Sequence, residues 1–560
     1  MTDGRIPASP SATARLEQLF PKLTPRQVAR LSSQGHARKI AAGELLIATG
    51  SRAACCFVVL SAEIEIIRQS ELGEEVIAIH GPGSFTGEIS TLTGRPALMA
   101  TRARSAGEVI ELDRERLLAL VQTDPELSEL ILRAFILRRV ELIAGGFGDV
   151  VVIGSTHCSG TLRVKEFLTR NSHPYTYFDL DRDKDVQTLL DRFRVLPGDI
   201  PVLIARREVV LRNPSNQDIA AALNLNETVD GKQLHDLIVV GAGPAGLAAA
   251  VYGASEGLDV LIIESVAPGG QAGSSSKIEN YLGFPTGISG QALAGRAYTQ
   301  AEKFGANLIV AVSATRLSCE RRPYLLDLGN DLRVAARTVI LATGARYRKP
   351  PLKNVAVFEG SGVYYAATFM ESQLCVDEEV IVVGGGNSAG QAAVHLAKTA
   401  RHVYILVRGD GLAQSMSRYL IRRIEQTPNI TLLSNTELEA LEGAEHLERV
   451  RWRRRTCDAP ETRDIRHVFL MTGAEPGTAW LQACVALDEK GFVRTGSDLT
   501  ADILEAAKWP LSRAPRLLET SLPGVFAAGD VRSGSLKRVA SAVGEGSIAI
   551  SFVHQALSEL

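Results

Sequence analysis

The run DLIVVGAGPAGLAAAVYGASEG (236–257) is the feature that most constrains this chain. An apolar stretch ends in GAGPAG and continues at once into a helical run of small residues, which specifies a strand, a tight turn and a helix in one short segment. Gly241 permits the turn and Gly243 lets the backbone approach a pyrophosphate. Pro244 and Ala245 lead to Gly246, which lets the helix pack on the strand. The next strand, DVLIIES, ends on Glu264, an acid placed to accept hydrogen bonds from an adenosine ribose. About 140 residues further on, EVIVV runs into GGGNSA, a second turn carrying Gly384, Gly386, Asn387, Ser388 and Ala389, with the helix AAVHLAK and the strand HVYILVRG behind it. That strand ends in Val407 and Arg408 with no ribose acid. A guanidinium there can grip a 2′-phosphate, so the second site leans to NADP over NAD, the alternative being a solvated strand-end cation.

Composition excludes some partners. The 560 residues carry 61 basic and 63 acidic side chains, a near-neutral balance with no long basic run. That argues against nucleic acid or a membrane surface as partner. The short cluster Arg451, Arg453, Arg454 and Arg455 reads as one exposed strand or turn. There is no signal-like N-terminus and no run of about 18 apolar residues, so a soluble, cytoplasmic protein is expected. The seven cysteines (55, 56, 158, 319, 375, 457 and 484) are scattered and form no CxxC, so reduced thiols are expected.

The pattern predicts a multidomain chain. Residues 1–144 alternate short β-rich runs with turn signals before a helical stretch, and GGFGD (145–149) reads as a linker. Residues 150–230 follow a βαβ then ββ order, including a helix through VQTLLDRF (186–193), which suggests a compact α/β sandwich. From 234 onward strands and helices alternate in the doubly wound manner. We expect a first dinucleotide domain over 234–354, a second over 355–470, and completion of the first by 471–560.

Further motifs carry a family resemblance: GGQ (269–271), IENYLGF (278–284), ATG (342–344), TGAEP (472–476) and GVFAAGD (524–530), together with both glycine turns. From about 234 to 560 the chain resembles bacterial thioredoxin reductase, a two-domain FAD and NADPH flavoenzyme. The resemblance implies FAD contacts from Glu264, Gly270, Gln271, Asn280, Thr343, Gly344, Gly529 and Asp530, with Asp530 on the ribityl chain. It also implies NADPH at the second turn and a homodimer. Lys537, Arg538 and Val539 stand where the family has RQA beside the isoalloxazine. Two departures matter. Ala366 and Phe369, in GVYYAATF (362–369), occupy the positions of the family's redox cysteines. Gly409 and Ala413 replace two arginines of the 2′-phosphate site, for which Arg418 or Arg422 could substitute.

Residues 151–225 resemble a glutaredoxin or thioredoxin fold. Cys158 falls at the first active-site thiol, Thr161 replaces the second, and Ile200–Pro201 matches the cis-proline. Cys158 is thus the one candidate catalytic thiol, and a degenerate adaptor that keeps only the fold is the other reading. Cys375 reads as an inert core residue. The vicinal Cys55 and Cys56 face opposite sides of one strand. Residues 16–140 resemble a cyclic-nucleotide-binding β-roll, with Gly87 and Glu88 in place, but Ala97 stands where the phosphate-binding arginine belongs and Arg95 lies two residues early. Cyclic AMP or GMP should therefore bind weakly or not at all, unless Arg95 turns inward, and a different ligand or a purely structural role between domains is expected instead. The fold class expected is a β-roll with helices, a thioredoxin-like α/β unit and two doubly wound dinucleotide-binding domains. The expected function is hydride transfer from NADPH to FAD. Electrons would then reach a disulfide through Cys158 or a partner. The alternatives are a non-thiol acceptor (ferredoxin, quinone or oxygen) and a flavin-based sensor. The acceptor itself is not legible.

Overall fold

The computed structural model describes residues 17–559 apart from 53–54, 71–72, 145–149, 183–196, 206–208, 330, 353, 445, 456–458 and 482–483. The expected linker at 145–149 and the expected helix at 186–193 lie outside the described residues, as does Cys457.

The N-terminal unit is a roll of two four-stranded antiparallel sheets. One runs His36–Ile40, Gly107–Asp113, Cys55–Val59, Phe85–Thr86, and the other Leu45–Ile47, Ala100–Ala103, Ile64–Ser70, Gly73–His80. Strand alternation sets its core: Cys56 and Val58 pack with Leu31, Phe85, Leu112 and Phe135, whereas Phe57 and Val59 pack with Ile40, Ile64 and Val109 on the other face. Cys55 and Cys56 therefore part as expected. Asp113 caps the following helix, Arg114–Thr123, by accepting from the Arg116 N–H at 2.8 Å, and the helix Pro125–Ala144 completes the unit.

The second unit is a four-stranded sheet in the order Thr176–Asp179, Val150–Gly154, Val202–Ala205, Val209–Arg212, parallel in its first pair and antiparallel in the others. The helix Ser159–Arg170, called the module helix below, lays Val164, Phe167 and Leu168 on Val150, Val152 and Leu203. The Ile200–Pro201 bond is cis, as the resemblance implies.

The first dinucleotide sheet has seven strands, in the order Asn307–Ile309, Val260–Ile263, Leu234–Val240, Arg333–Leu341, Tyr324–Leu328, Ala314–Ser318, with Val525–Ala527 joining Arg333–Leu341 in parallel. Its central strand is covered on both faces, which explains the unbroken apolar run at 237–240. The C-terminal segment thus returns to the first sheet. The second sheet is five parallel strands, Val363–Tyr364, His467–Leu470, Glu379–Val383, His402–Leu406, Ile430–Leu433. The arginine cluster lies on and just beyond the strand Arg449–Arg454, with Arg451 and Arg453 paired to Glu439 and Arg455 to Glu437.

One expectation fails. Cys319 and Cys484 form a disulfide across 165 residues, so the thiols are not all reduced. Spacing concealed the pair: Cys319 follows the strand Ala314–Ser318, Cys484 follows the turn Ala479–Leu481, and the two segments share one core through Leu317 and Leu481. Among the described residues no helix is long and apolar enough to cross a membrane.

Candidate active site

Three glycines of the first turn do different work. Gly241 has φ +106°, and a Cβ added there would lie 2.3 Å from the Ala342 carbonyl oxygen. One added at Gly246 would lie 1.8 Å from the Gly241 carbonyl oxygen, so helix and strand meet backbone to backbone. Gly243 is the N-cap of the helix Pro244–Ser255 and makes no side-chain cap. Its added Cβ would meet only Gly270 Cα at 3.9 Å, which leaves the first helical N–H groups open to a pyrophosphate. Glu264 is buried beside this turn, accepting from the Ala242 N–H at 2.8 Å and the Val266 N–H at 2.9 Å. A carboxylate has about four acceptor sites, so ribose hydroxyls can still be held.

The other residues assigned to FAD gather around that turn. Gly270 opens the short helix Gly270–Gly273, and Gln271 donates to the Ala345 carbonyl. Thr343 Oγ1 donates to the Gly477 carbonyl at 3.1 Å, and Gly344 has open space where a Cβ would be. Gly529, with φ +76°, comes within 2.9 Å of Ala245 Cβ at its added Cβ, which sets Asp530 against the first helix. Burial pushes the Asp530 carboxyl up, opposed by Lys537 and reinforced by Glu545. Lys537 donates to the Asp530 carbonyl at 3.1 Å, and Arg538 is the N-cap of the helix that Val539 begins, Val539–Ser558. Asn280 is exposed and, like Glu264, Thr343 and Asp530, is not part of the lining of the cavity described next.

The second turn repeats the first. Gly384 has φ +143°, with an added Cβ 2.5 Å from the Met471 carbonyl oxygen, and Gly386 is an uncapped N-cap with open space beside it. Asn387 Oδ1 accepts from the Ser417 N–H at 2.7 Å, and Ala389 is core. Ser388 hydrogen-bonds Tyr347, whose phenol burial pushes up. Arg408 is exposed at the end of its strand, and Arg418 and Arg422 are exposed on the helix Arg418–Gln426. Both turns are therefore cradles of bare backbone that fit FAD and NADPH.

Between the two sheets lies a cavity of about 430 Å³. Gln271 and Tyr347 line it from the first sheet's side, and Ala366, Ala367 and Ser388 from the second's. Of the two positions that the resemblance assigns to sulfur, only Ala366 faces it; Phe369 is 69% exposed elsewhere. Glu371 also lines the cavity, a residue the sequence reading missed. It is buried, closes a capping box with Thr368, and its carboxyl is pushed up by burial and by Glu166. The T-x-x-E spacing of Thr368 and Glu371 was the available signal.

The remaining wall is the module helix. Cys158 is its half-buried N-cap, and Leu162 and Glu166, four and eight residues on, line the cavity. Leu162 and Glu166 share one helical face, and Cys158 precedes them as an N-cap of extended backbone, φ −91° and ψ 123°. Leu162 packs against the cluster holding Tyr364 and Ala367, and an added Cβ on Gly360 would lie 2.5 Å from Ser159 Cβ. The Tyr364 and Ala367 part of GVYYAATF thus meets the module helix. Thr161 is buried, turned onto Gly154 in the module's own core. Cys375 is also buried, its thiol donating to the Glu371 carbonyl at 3.2 Å and pushed up by burial.

In the β-roll, Gly87 has φ +87° and starts the helix Glu88–Thr93. Glu88, 1% exposed, accepts from Arg138 at 2.8 Å. Arg95 turns outward to the Asn171 carbonyl at 2.8 Å and the Tyr298 hydroxyl at 3.4 Å. Ala97 is locked by backbone bonds to Gly50 and Ser51. The inward arginine that would rescue cyclic-nucleotide binding is not there.

Comparison with known proteins agrees with this geometry. The pyridine nucleotide-disulphide oxidoreductase family matches residues 235–546, and the cyclic nucleotide-binding domain matches 37–124. The thioredoxin reductase of Mycolicibacterium smegmatis is 32% identical over 314 residues, 56% of this chain and 93% of that protein. The NADPH-dependent thioredoxin reductase 3 of Arabidopsis thaliana is 31% identical over 57% of this chain and 58% of its own length. The crystal structure of T. acidophilum thioredoxin reductase superposes with a TM-score of 0.52 at 28% identity, covering 58% of this chain and all of that one. A family match spanning more than half of the chain, on two open glycine cradles, makes this protein a member of the pyridine nucleotide-disulphide oxidoreductases, an NADPH-dependent flavin oxidoreductase preceded by a cyclic nucleotide-binding domain.

Proposed function

We propose that this oxidoreductase reduces a disulfide-containing acceptor through Cys158 of the thioredoxin-like module, which stands in for the pair missing at Ala366 and Phe369. The observation that carries the reading is the position of the module helix. Cys158 is the N-cap of the helix whose Leu162 and Glu166 line the cavity that Ala366 lines. At 1.5 Å of rise per residue, Cys158 stands about 6 Å along the helix from Leu162, at the cavity's rim.

FAD, when bound, supplies acceptance of a hydride equivalent from NADPH and its return as an electron pair. The chain's residues do the rest. Gly241, Gly243 and Gly246 hold the pyrophosphate, Glu264 the ribose and Asp530 the ribityl chain, while Gly384, Gly386 and Arg408 hold NADPH. Cys158 at a helix N-terminus presents its sulfur to the acceptor disulfide, forming a mixed disulfide and releasing one thiol. Two electrons and a proton from NADPH, with one further proton, return Cys158 and the second acceptor sulfur to thiols. The sum is NADPH, a proton and a disulfide giving NADP⁺ and two thiols.

The test follows flavin absorbance and disulfide reduction together. Cys158→Ser should leave the flavin reducible by NADPH and abolish reduction of a small disulfide. Unchanged disulfide reduction would sink the reading. A second reading has one observation in its favour: Cys158 sits at the rim and not in the lining, so a non-thiol acceptor could enter the cavity itself. Rapid reoxidation of Cys158→Ser by a quinone, ferredoxin or oxygen would select it.

A further inference from the structure

The module helix touches three other units. At its N-terminal end the chain meets the second dinucleotide unit, where Ser159 abuts Gly360 and Leu162 packs on Tyr364 and Ala367. At its C-terminal end it meets the first, where Arg170 donates to the Gly270 carbonyl at 3.0 Å and Asn171 Nδ2 to the Val266 carbonyl at 3.3 Å. A helix of 12 residues spans about 18 Å, so it runs along the cavity from Gly360 of the second unit to Gly270 of the first.

The third unit is the β-roll, and it grips the C-terminal end. Arg95 donates to the carbonyl of Asn171, the residue that ends the helix. Its guanidinium also lies over the ring of Tyr298, 5.4 Å from the centroid, on a helix of the first dinucleotide unit. Arg52 donates to the Asn226 carbonyl at 2.6 Å and Arg114 pairs with Glu227 at 2.7 Å, just past the module. The contact is built from the cassette itself. Gly50, Arg95 and Ala97 line one small cavity together with Ser172 and His173 of the module.

We propose that Arg95 is a positioning residue for the thiol: by holding Asn171, the β-roll fixes the module helix along its axis and so sets Cys158 at the cavity rim. The proposal rests on the thiol reading above. It assigns the N-terminal domain a task that needs no cyclic nucleotide. Arg95, two residues short of the position of the cassette arginine, is a latch between domains. A rigid helix transmits the constraint, because freeing the Asn171 carbonyl lets the other end slide or tilt against Gly360.

The experiment loads Cys158 of the full-length holoprotein with an aromatic thiol as a mixed disulfide, adds NADPH without oxygen, and records flavin bleaching and release of the coloured thiol in the same stopped-flow mixing. Arg95→Ala should leave bleaching unchanged and slow release about ten- to a hundredfold, the worth of a charge-assisted hydrogen bond. Arg95→Lys, which can still reach a carbonyl, should recover part of the rate. Tyr298→Phe keeps the ring and loses one acceptor, so it should slow release less, and it serves as the reading if Arg95→Ala does not fold. Release at the wild-type rate in Arg95→Ala or, failing that, in Tyr298→Phe would overturn the latch. So would bleaching slowed in proportion, which would place the effect on the flavin. Release that does not depend on NADPH in the wild type would instead remove the thiol reading and leave the latch without a task.

Discussion

Gly87 in the β-roll cassette and Gly241 in the first dinucleotide turn are both left-handed glycines that precede a helix, and their surroundings differ. At Gly241 the ligand-facing surface is backbone. Nothing there can be redirected without losing the turn, since an added Cβ would strike the Ala342 carbonyl. At Gly87 recognition would depend on side chains, and side chains have been put to other uses. Glu88 neutralises Arg138, and Arg95 reaches another domain. A backbone cradle keeps its meaning as long as its glycines survive. A side-chain cassette can keep its fold and lose its ligand.

The largest expected effect breaks that contrast at its most buried point. Arg138 is 9% exposed, donates to the Leu19 and Phe85 carbonyls, and has Glu88 as its carboxylate. Glu88→Ala strands a buried guanidinium and should cost about 3–5 kcal/mol. A ribose-binding acid waiting for ligand would behave otherwise, leaving the apo protein's stability nearly unchanged. Thermal denaturation with and without cyclic AMP separates the two. A small loss of stability, together with measurable binding of cyclic AMP by the wild type, would restore the cassette as a ligand site.

The matching change in the dinucleotide turn should spare the fold and empty the site. Gly243→Ala adds a methyl with only Gly270 Cα near it, so stability of the apo protein should fall by no more than about 1 kcal/mol. The same methyl stands where the backbone must approach a pyrophosphate, so bound FAD, read from its absorbance per chain, should drop well below one. Asp530→Ala should act likewise. Full flavin occupancy in both variants would mean that this cradle is not the FAD site.

These two predictions also mark what the sequence could and could not convey. The glycine turns, the return of 525–527 to the first sheet and the partition of Cys55 from Cys56 follow from local pattern, because period and turn chemistry are local properties. The disulfide, the outward course of Arg95 and the seat of the module helix depend on which units touch. No local signal encodes that. Glu371 was readable as a helix cap, but its place on the cavity wall needed the fold.

At the second turn the comparison sharpens, since there a side chain is asked to add selectivity to a backbone cradle. Arg408 is exposed at the strand end, with Gly409 beside it. Arg408→Ala should raise the KM for NADPH by about tenfold or more, a charge-assisted contact being worth roughly 1.5–3 kcal/mol. The KM for NADH should not move. Equal effects on both nucleotides would reassign selectivity to Arg418 or Arg422.

The change at Gly360 is the most diagnostic of how the module sits. This glycine has φ +77°, so alanine is strained there by about 1 kcal/mol even in open space. The space is not open, because the new methyl would lie 2.5 Å from Ser159 Cβ and 3.0 Å from Ser159 Cα. Neither neighbour is the far end of a flexible chain, so the whole N-terminus of the module helix must withdraw. Flavin content and NADPH-driven bleaching should stay as they are, since both cradles lie elsewhere. Reduction of a disulfide through Cys158 should slow, and the module should become easier to cleave by protease. Disulfide reduction at the wild-type rate in Gly360→Ala would show that contact between Ser159 and Gly360 is not the arrangement in which the thiol works, and the thiol would then have to meet its electrons from another seat.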